Sequence, residues 1–399
     1  MILYRNDFPF FTSNPEVIYL DSAATTQRPG VVLDTLEEFY TYANAPVHRA
    51  VYKLAERATE RYEHARNVLA QYLGADPVEV VFTKGTTESI NFICQAWAAQ
   101  TLEPGDEILI SELEHHANIL PWLRLAQQKN IKLVYIPITP DGNLDYERYQ
   151  QLVTIRTKLI AITACSNAIG THVDLERIIS HARTNAIKTL IDGTQIAGRE
   201  QINLHKLGVD FFACSAHKML GPTGVGVLYI KKELHNQVEP YQVGGGMVAD
   251  VSFTGATWLN APHKFEAGTP PIAQVIAYGA AVDYLATQVN FTQLRAHEAA
   301  LTAYLLDKLQ ALPTIRILGP QENLRTWGHM VSFTSSTYHA HDIAAYLDQY
   351  AICVRAGNQC AQPLHKKLGI TSSVRISFYL YTTHEEVERC VYYLTKLLT

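Results

Sequence analysis

The sequence predicts an α/β protein: a large domain with a mostly parallel seven-stranded sheet between helices, plus a small α+β C-terminal domain. Three observations predict it. Seven short β-branched runs alternate with amphipathic stretches through the middle of the chain. Repeated βα alternation of that kind argues for a parallel sheet covered on both faces. After about residue 283 the pattern changes to one long helical stretch and a few short strands. Polar residues gather where several of the middle runs end, and in such sheets ligands collect beyond the carboxyl ends of the strands.

In chain order the expected strands of the large sheet are 78-VEVVFT, 106-DEILIS, 131-IKLVYIP, 158-KLIAIT, 188-KTLID, 209-VDFFACS and 225-VGVLYI. Helices are expected between several of them, at 85-GTTESINFICQAWAAQ and 116-HANILPWLRLAQQK for example. The later region gives a helix at 291-FTQLRAHEAALTAYLLDKLQAL, then strands at 329-HMVSFT, 351-AICVRA and 374-VRISFY. Further helices fall at 341-HDIAAYLDQY and 384-HEEVERCVYYLTKLL. The boundaries that follow are 13–282 for the large domain and 283–399 for the small one, with 1–12 joining the small one.

The chain has 399 residues, 47% of them hydrophobic and 18% charged, the make-up of an ordinary globular enzyme. Net charge is −5 and no Lys/Arg cluster stands out, so the footprint of a nucleic-acid binder is missing. No apolar stretch reaches the roughly 20 residues that span a bilayer. The start, MILYRNDFPFF, lacks the pattern of a secretory signal, and a cytoplasmic location is expected. The six cysteines form no C-x-x-C pair. Five sit in apolar segments and read as core thiols. Cys360, in RAGNQCAQP, lies in a small, polar, Pro-bounded segment that reads as an exposed loop.

The most specific segment is SAHKMLGPTGVG at 215–226. Lys218 stands between an apolar strand and a glycine-rich turn, where neighbouring cationic or apolar groups would depress its pKa. About 25 residues upstream, Asp192 ends another apolar run. A strand ending in Asp and a later strand ending in His-Lys is the arrangement a pyridoxal phosphate enzyme needs. The lysine condenses with the cofactor aldehyde, and the aspartate keeps the pyridine nitrogen protonated. Ser215 and His217 can bond a phosphate. Gln195, in DGTQ, could donate to the phenolic oxygen. KGTTES at 84–89 offers Thr86 and Thr87 at the positive start of a helix, which also suits a phosphate.

In SELEHHANILPW at 111–122, His115 and His116 point in different directions from either a strand or a helix. No further ligand at metal spacing accompanies them, and no metal site is expected. One of the two can stack on a pyridine ring and move a proton. Asn167, just past a strand end, could hold a substrate carboxylate or the ring oxygen. Arg375 lies inside an otherwise apolar strand and must be paired; an α-carboxylate is its natural bidentate partner, with Arg355 nearby.

Taken together, 20-LDSAATTQRP, FTKGTTESIN, ELEHHANILPW, DGTQ, SAHKMLGPTGVGVLYIKK, FEAGTPP, RAGNQCAQPL and VRISFYLYTT resemble the SUF-type (group II) cysteine desulfurases of the class V aminotransferase superfamily. The resemblance covers nearly the whole chain. It implies fold type I of the pyridoxal phosphate enzymes and a homodimer. It implies conversion of L-cysteine to L-alanine, with the sulfur handed to an acceptor protein for iron–sulfur cluster assembly. Lys218 looks like the cofactor-binding lysine, and Cys360 like the nucleophile that holds sulfur as a persulfide. His115 is similar to the residue stacked on the ring. Asp192 and Gln195 match the pyridine-nitrogen and phenolate partners. Thr86, Thr87, Ser215 and His217 match the phosphate cradle, and Thr269 resembles a phosphate contact made across the dimer. Asn167 and Arg375 match the substrate-carboxylate grip. Asn358 and Gln359 stand where the family commonly has two histidines. Selenocysteine lyase, which uses the same groups, and another class V aminotransferase are the alternative activities.

Overall fold

The seven apolar runs pair into one sheet in the computed structural model, which describes residues 4–399. Across the sheet the strands run Val80–Thr83, Gly226–Ile230, Phe211–Ser215, Lys188–Asp192, Thr157–Thr163, Glu107–Ser111 and Lys132–Ile136. Only Gly226–Ile230 runs against its neighbours. Every other pairing is parallel. The carboxyl ends of the other six strands therefore share one edge. The expected α/β class with a mostly parallel seven-stranded sheet is the fold observed.

These strands read as unbroken apolar runs because both faces are buried. Successive side chains point to opposite faces. Leu109, Ile160, Ile162, Ile191 and Phe212 enter one core cluster. Ile108, Leu159, Ala161, Leu190 and Phe211 enter the other. On the first face the long helix Lys53–Leu73 buries Ala55, Ala58, Tyr62, Ala65, Leu69 and Leu73, a spacing of three and four residues that makes one apolar stripe. It stops at Gly74, whose φ of +61° suits glycine.

The later region forms a four-stranded antiparallel sheet in the order Ile315–Leu318, Met330–Ser335, Ser373–Ser377, Arg355–Gly357. The helices Phe291–Gln310, Ala340–Asp348 and His384–Leu398 accompany it, with a third core cluster of their own. Ile315–Leu318 is a strand beyond the three expected; it is a four-residue edge strand with Arg316 exposed, too short and too polar to stand out. The run 351-AICVRA divides, because Ile352–Cys353 pairs with Ile18–Tyr19 while Arg355–Gly357 joins the four-stranded sheet. Ile18 and Leu20 thus belong to this smaller core, whereas Phe8 and Phe11 pack in the large one. Residues 1–3 of the N-terminal dozen lie outside the described residues.

Candidate active site

The carboxyl edge of the large sheet and the loop after Arg355–Gly357 face each other across a cavity of about 230 Å³. Lys218, Asp192, His115, Arg375, Asn167 and Cys360 all line it.

The large-sheet side starts from hydroxyl groups around a helix start. Thr83 ends its strand, Gly85 turns the chain with φ +143°, and the helix Thr86–Ile93 follows. A Cβ at Gly85 would sit 3.1 Å from Ser215 Oγ, so glycine meets both the angle and the close approach. Thr86 donates its N–H to Ser215 Oγ at 2.9 Å, and Thr86 Oγ1 lies 2.7 Å from Thr194 Oγ1. Thr86, Thr87, Ser215 and His217 line the cavity, at an end where the helix dipole favours an anion.

Asp192, 4% exposed, ends its strand and turns back on itself. Its Oδ1 accepts from both the N–H and the hydroxyl of Thr194, and among the described residues Oδ2 has no donor. Burial raises its pKa, against the pull of Thr194 and Lys218. The Lys218 amine is enclosed by protein, although the side chain is partly accessible through the cavity. Burial, reinforced by the Arg375 guanidinium, brings that amine down to about 8.

His115 follows the turn after Glu107–Ser111, and a fully buried carboxylate builds that turn. Glu114 accepts from Thr163 N at 2.9 Å, from Asn118 Nδ2 at 2.7 Å and from Ser111 Oγ. Asn118 in turn accepts from Trp122 Nε1. This chain of bonds explains why His116–Asn118 forms a 3-10 turn and the helix starts only at Leu120, later than expected. His115 Nδ1 accepts from Ala117 N at 3.0 Å, which puts a neutral ring's proton on Nε2. Burial, with Lys218 adding, lowers its pKa to about 4, so the ring is neutral at pH 7.

Arg375, 2% exposed, donates from Nη1 to Asn167 O at 2.6 Å and from Nη2 to Asp21 Oδ1 at 3.0 Å. Its Nε is buried without a partner. Asp21 also pairs with the exposed Arg355, at 3.1 Å. Asn167 Nδ2 donates to Gln359 O at 2.7 Å, so its amide grips the Cys360 loop. Gln195 donates from Nε2 to Ala23 O at 3.1 Å. Cys360 is an exposed free thiol, whereas Cys94, Cys165, Cys214 and Cys390 are buried and Cys353 is half-buried.

Thr269 is the one candidate residue that does not reach this cavity within the chain. It lines a separate cavity of about 390 Å³ beside His48, Tyr62 and His263. Sequence reasoning passed over two residues that the site contains. Asp21 lies in LDSAATT, where an acid following an apolar pair was the available signal. Thr194 stands between two chosen residues, and the Asp-Gly-Thr turn was its signal.

A pyridoxal phosphate fits this donor set. The Asp192 oxygen without a donor suits the ring nitrogen, the hydroxyl and helix-start group suits the phosphate, and Lys218 suits the aldehyde. The unpartnered Arg375 Nε leaves one cationic donor for a substrate carboxylate.

The chain matches the family described as "Aminotransferase class-V" over residues 18–390. It is 40% identical over 398 residues to a cysteine desulfurase of Salmonella gallinarum, covering 98% of this chain and 97% of that protein. Among solved structures it is similar to the cysteine desulfurase CsdA (S-sulfonic acid) from Escherichia coli, with TM-score 0.91, 38% identity and coverage of 99% and 98% of the two chains. It is similar, too, to the apo cysteine desulfurase of Thermococcus onnurineus NA1, with TM-score 0.94, 37% identity and coverage of 99% and 97%.

Proposed function

From the premise that the chain belongs to the class-V aminotransferase family and is a pyridoxal phosphate-dependent cysteine desulfurase, we propose which of its residues carry the reaction and where the sulfur rests. The relatives at 37–40% identity are cysteine desulfurases, which favours L-cysteine over selenocysteine as substrate. The bound cofactor supplies an electron-poor ring that stabilises negative charge on the substrate Cα.

The chain's own groups do the rest. Arg375 Nε and the nearby Arg355 take the substrate carboxylate, with Asp21 and Asn167 O fixing the Arg375 guanidinium. Asp192 holds the ring nitrogen protonated. Lys218, half neutral near pH 8, removes the Cα proton. His115, neutral and protonated on Nε2, lines the cavity, where it would lie against the bound ring and relay the thiol's proton to the substrate Cβ. The Cys360 sulfur attacks the substrate sulfur. A sulfur–sulfur bond forms, the substrate carbon–sulfur bond breaks with its electron pair left on Cβ, Cβ takes up the proton the thiol gave up, and Lys218 returns its proton to Cα. L-Alanine leaves and Cys360 keeps a persulfide.

The observation that supports this most directly is that the one exposed thiol among the described residues lines the same cavity as Lys218 and the buried Asp192. Incubation with L-cysteine, with and without reductant, followed by mass spectrometry tests it. One added sulfur is expected on the peptide containing Cys360, removed by reductant. Its absence from an enzyme that still makes alanine would overturn the assignment.

The persulfide would pass to an acceptor protein for iron–sulfur cluster assembly. The working unit is a homodimer in which Thr269 reaches the partner's phosphate. Supporting this, Tyr42, Val51, Val251 and Phe253 are apolar side chains left mostly exposed by the chain. The division at 13–282 and 283–399 is part of the same reading, as is a cytoplasmic location; 1–12 is assigned to the small domain on the bonds of Arg5 to Tyr381 O and Glu386, although Phe8 and Phe11 also pack in the large core. No helix among the described residues is long and apolar enough to cross a membrane.

A further inference from the structure

His116 has no part in the chemistry above, yet it touches the chain at Cys360 and again two residues later. Its backbone N–H donates to Cys360 O at 2.8 Å. Its ring Nε2 accepts from Gln362 N at 3.1 Å. An imidazole nitrogen that accepts from a backbone N–H is unprotonated, so the neutral ring carries its proton on Nδ1. Gln362 opens the short helix Gln362–Lys367, and its N–H is one of the first-turn donors that a helix cannot satisfy internally.

The loop that carries these contacts needs holding. Gln359 and Cys360 are consecutive non-glycine residues with φ of +54° and +55°. The left-handed region is unfavourable for residues with a Cβ. Two in succession persist only where the surroundings enforce them. Within the loop, Cys360 N donates to Asn358 Oδ1 at 3.1 Å and Ala361 N to Asn358 O at 2.8 Å. From outside the loop, His116 supplies two more, at Cys360 O and Gln362 N. Asn167 Nδ2 binds Gln359 O at 2.7 Å. Glu112 pairs with Lys367 at 3.0 Å, at the far end of the short helix. Segment 112–116, anchored through buried Glu114, therefore runs along the loop as a strap.

We propose that His116 is a positioning residue: its main-chain N–H holds Cys360 O, its ring Nε2 holds Gln362 N, and together they latch the C-terminal half of loop 357–362 in its left-handed form, keeping the thiol in the Lys218 cavity. The proposal rests on the reading of Cys360 as nucleophile, but the latch itself is a property of the loop and is measurable without turnover. Releasing the ring contact lets the loop leave the cavity and expose its sulfur more often.

The test uses the cofactor-loaded enzyme, without substrate. Iodoacetamide alkylation of Cys360 is followed by mass spectrometry, on the alkaline plateau of its pH profile so that thiol ionisation drops out. His116→Phe keeps the ring's size and the backbone donor but loses the acceptor. It is expected to raise the alkylation rate roughly three- to ten-fold, the shift that losing one ordinary hydrogen bond permits. His116→Gln, whose carbonyl oxygen reaches about as far as Nε2, is expected to restore the rate to within about two-fold of wild type. With L-cysteine, His116→Phe should lower kcat while leaving KM nearly unchanged. If His116→Phe does not fold, His116→Asn replaces it, because its shorter amide cannot reach Gln362. A wild-type alkylation rate in the acceptor-free variant, or equal acceleration in His116→Gln, overturns the latch. Either result leaves the persulfide assignment standing, because that is read from sulfur on Cys360 and not from loop motion.

Discussion

Lys218 and Cys360 face one cavity but are built differently. Lys218 follows a central strand whose residues are all buried, and its neighbours Asp192 and Ser215 end adjacent strands of the same sheet. Cys360 sits in a left-handed loop tied by a few hydrogen bonds to side chains and backbone of the other layer. The first arrangement fixes a cofactor and tunes an amine by excluding water. The second leaves a thiol exposed on a loop outside the sheet. A reaction that must hold one group still and then deliver sulfur to another molecule uses both.

The largest expected effects separate the two sides. Lys218→Ala removes both the covalent tether and the Cα base. Activity should fall by at least the roughly 10²–10⁴-fold that a positioned base contributes, and the visible absorbance of the tethered cofactor should vanish. Cys360→Ser should abolish protein-bound persulfide equally but leave that absorbance unchanged. Loss of colour in Cys360→Ser would show that the two sides are not independent.

The two arginines sharpen the contrast at a smaller scale. Arg375 is buried with one orphaned nitrogen, whereas Arg355 is exposed and shares Asp21. A hydrogen bond to a charged group is worth about 1.5–3 kcal/mol. Arg375→Lys, which cannot reproduce the planar fork, should therefore cost roughly 10- to 150-fold in kcat/KM for L-cysteine. Arg355→Lys, in water, should cost less than about ten-fold. Steady-state kinetics on both variants, ranked in the reverse order, would put the carboxylate on the wrong arginine.

The legibility of the sequence follows the same division. Strand-end chemistry was readable because packing alone seldom places a charged residue at the close of an apolar run, as with Asp192 and Lys218. The seven large-sheet strands were readable through burial on both faces, which makes each run continuous. The loop side was less open. Cys360 could be placed in an exposed segment, but its left-handed backbone is held by Asn358 Oδ1 together with contacts over 190 residues away in sequence, at Asn167 and His116. Nothing local in RAGNQCAQP signals them. Asn167 shows the limit of residue-by-residue reading: its amide is engaged with Gln359 O, while its carbonyl, a main-chain atom, is what meets Arg375. Ile315–Leu318 was missed because a short edge strand lacks the two-sided burial that marks the others.

The smallest effect probes the cost of the buried amine itself. Burial lowers Lys218 to about 8 in the fold, against 10.5 for a free lysine. The folded cofactor-free protein therefore binds fewer protons here than the unfolded chain between pH 8 and 10.5, and the charged amine destabilises the fold below pH 8. That penalty is relieved as pH rises through this window. Lys218→Met, of similar length and apolar, should raise the melting temperature of the cofactor-free protein at pH 7. The advantage over wild type should shrink steadily from pH 8 and level off above 10.5. Asp192, raised by its own burial, loses its nearest cation in the variant, which works against the gain at neutral pH but is already absent from wild type once Lys218 is neutral. Thermal unfolding of both proteins from pH 6 to 11 measures the difference. An advantage that grows with pH would mean that the amine is stabilised in its charged form, and that the strand-edge side of the cavity is not the dry, preorganised surface that separates it from the loop.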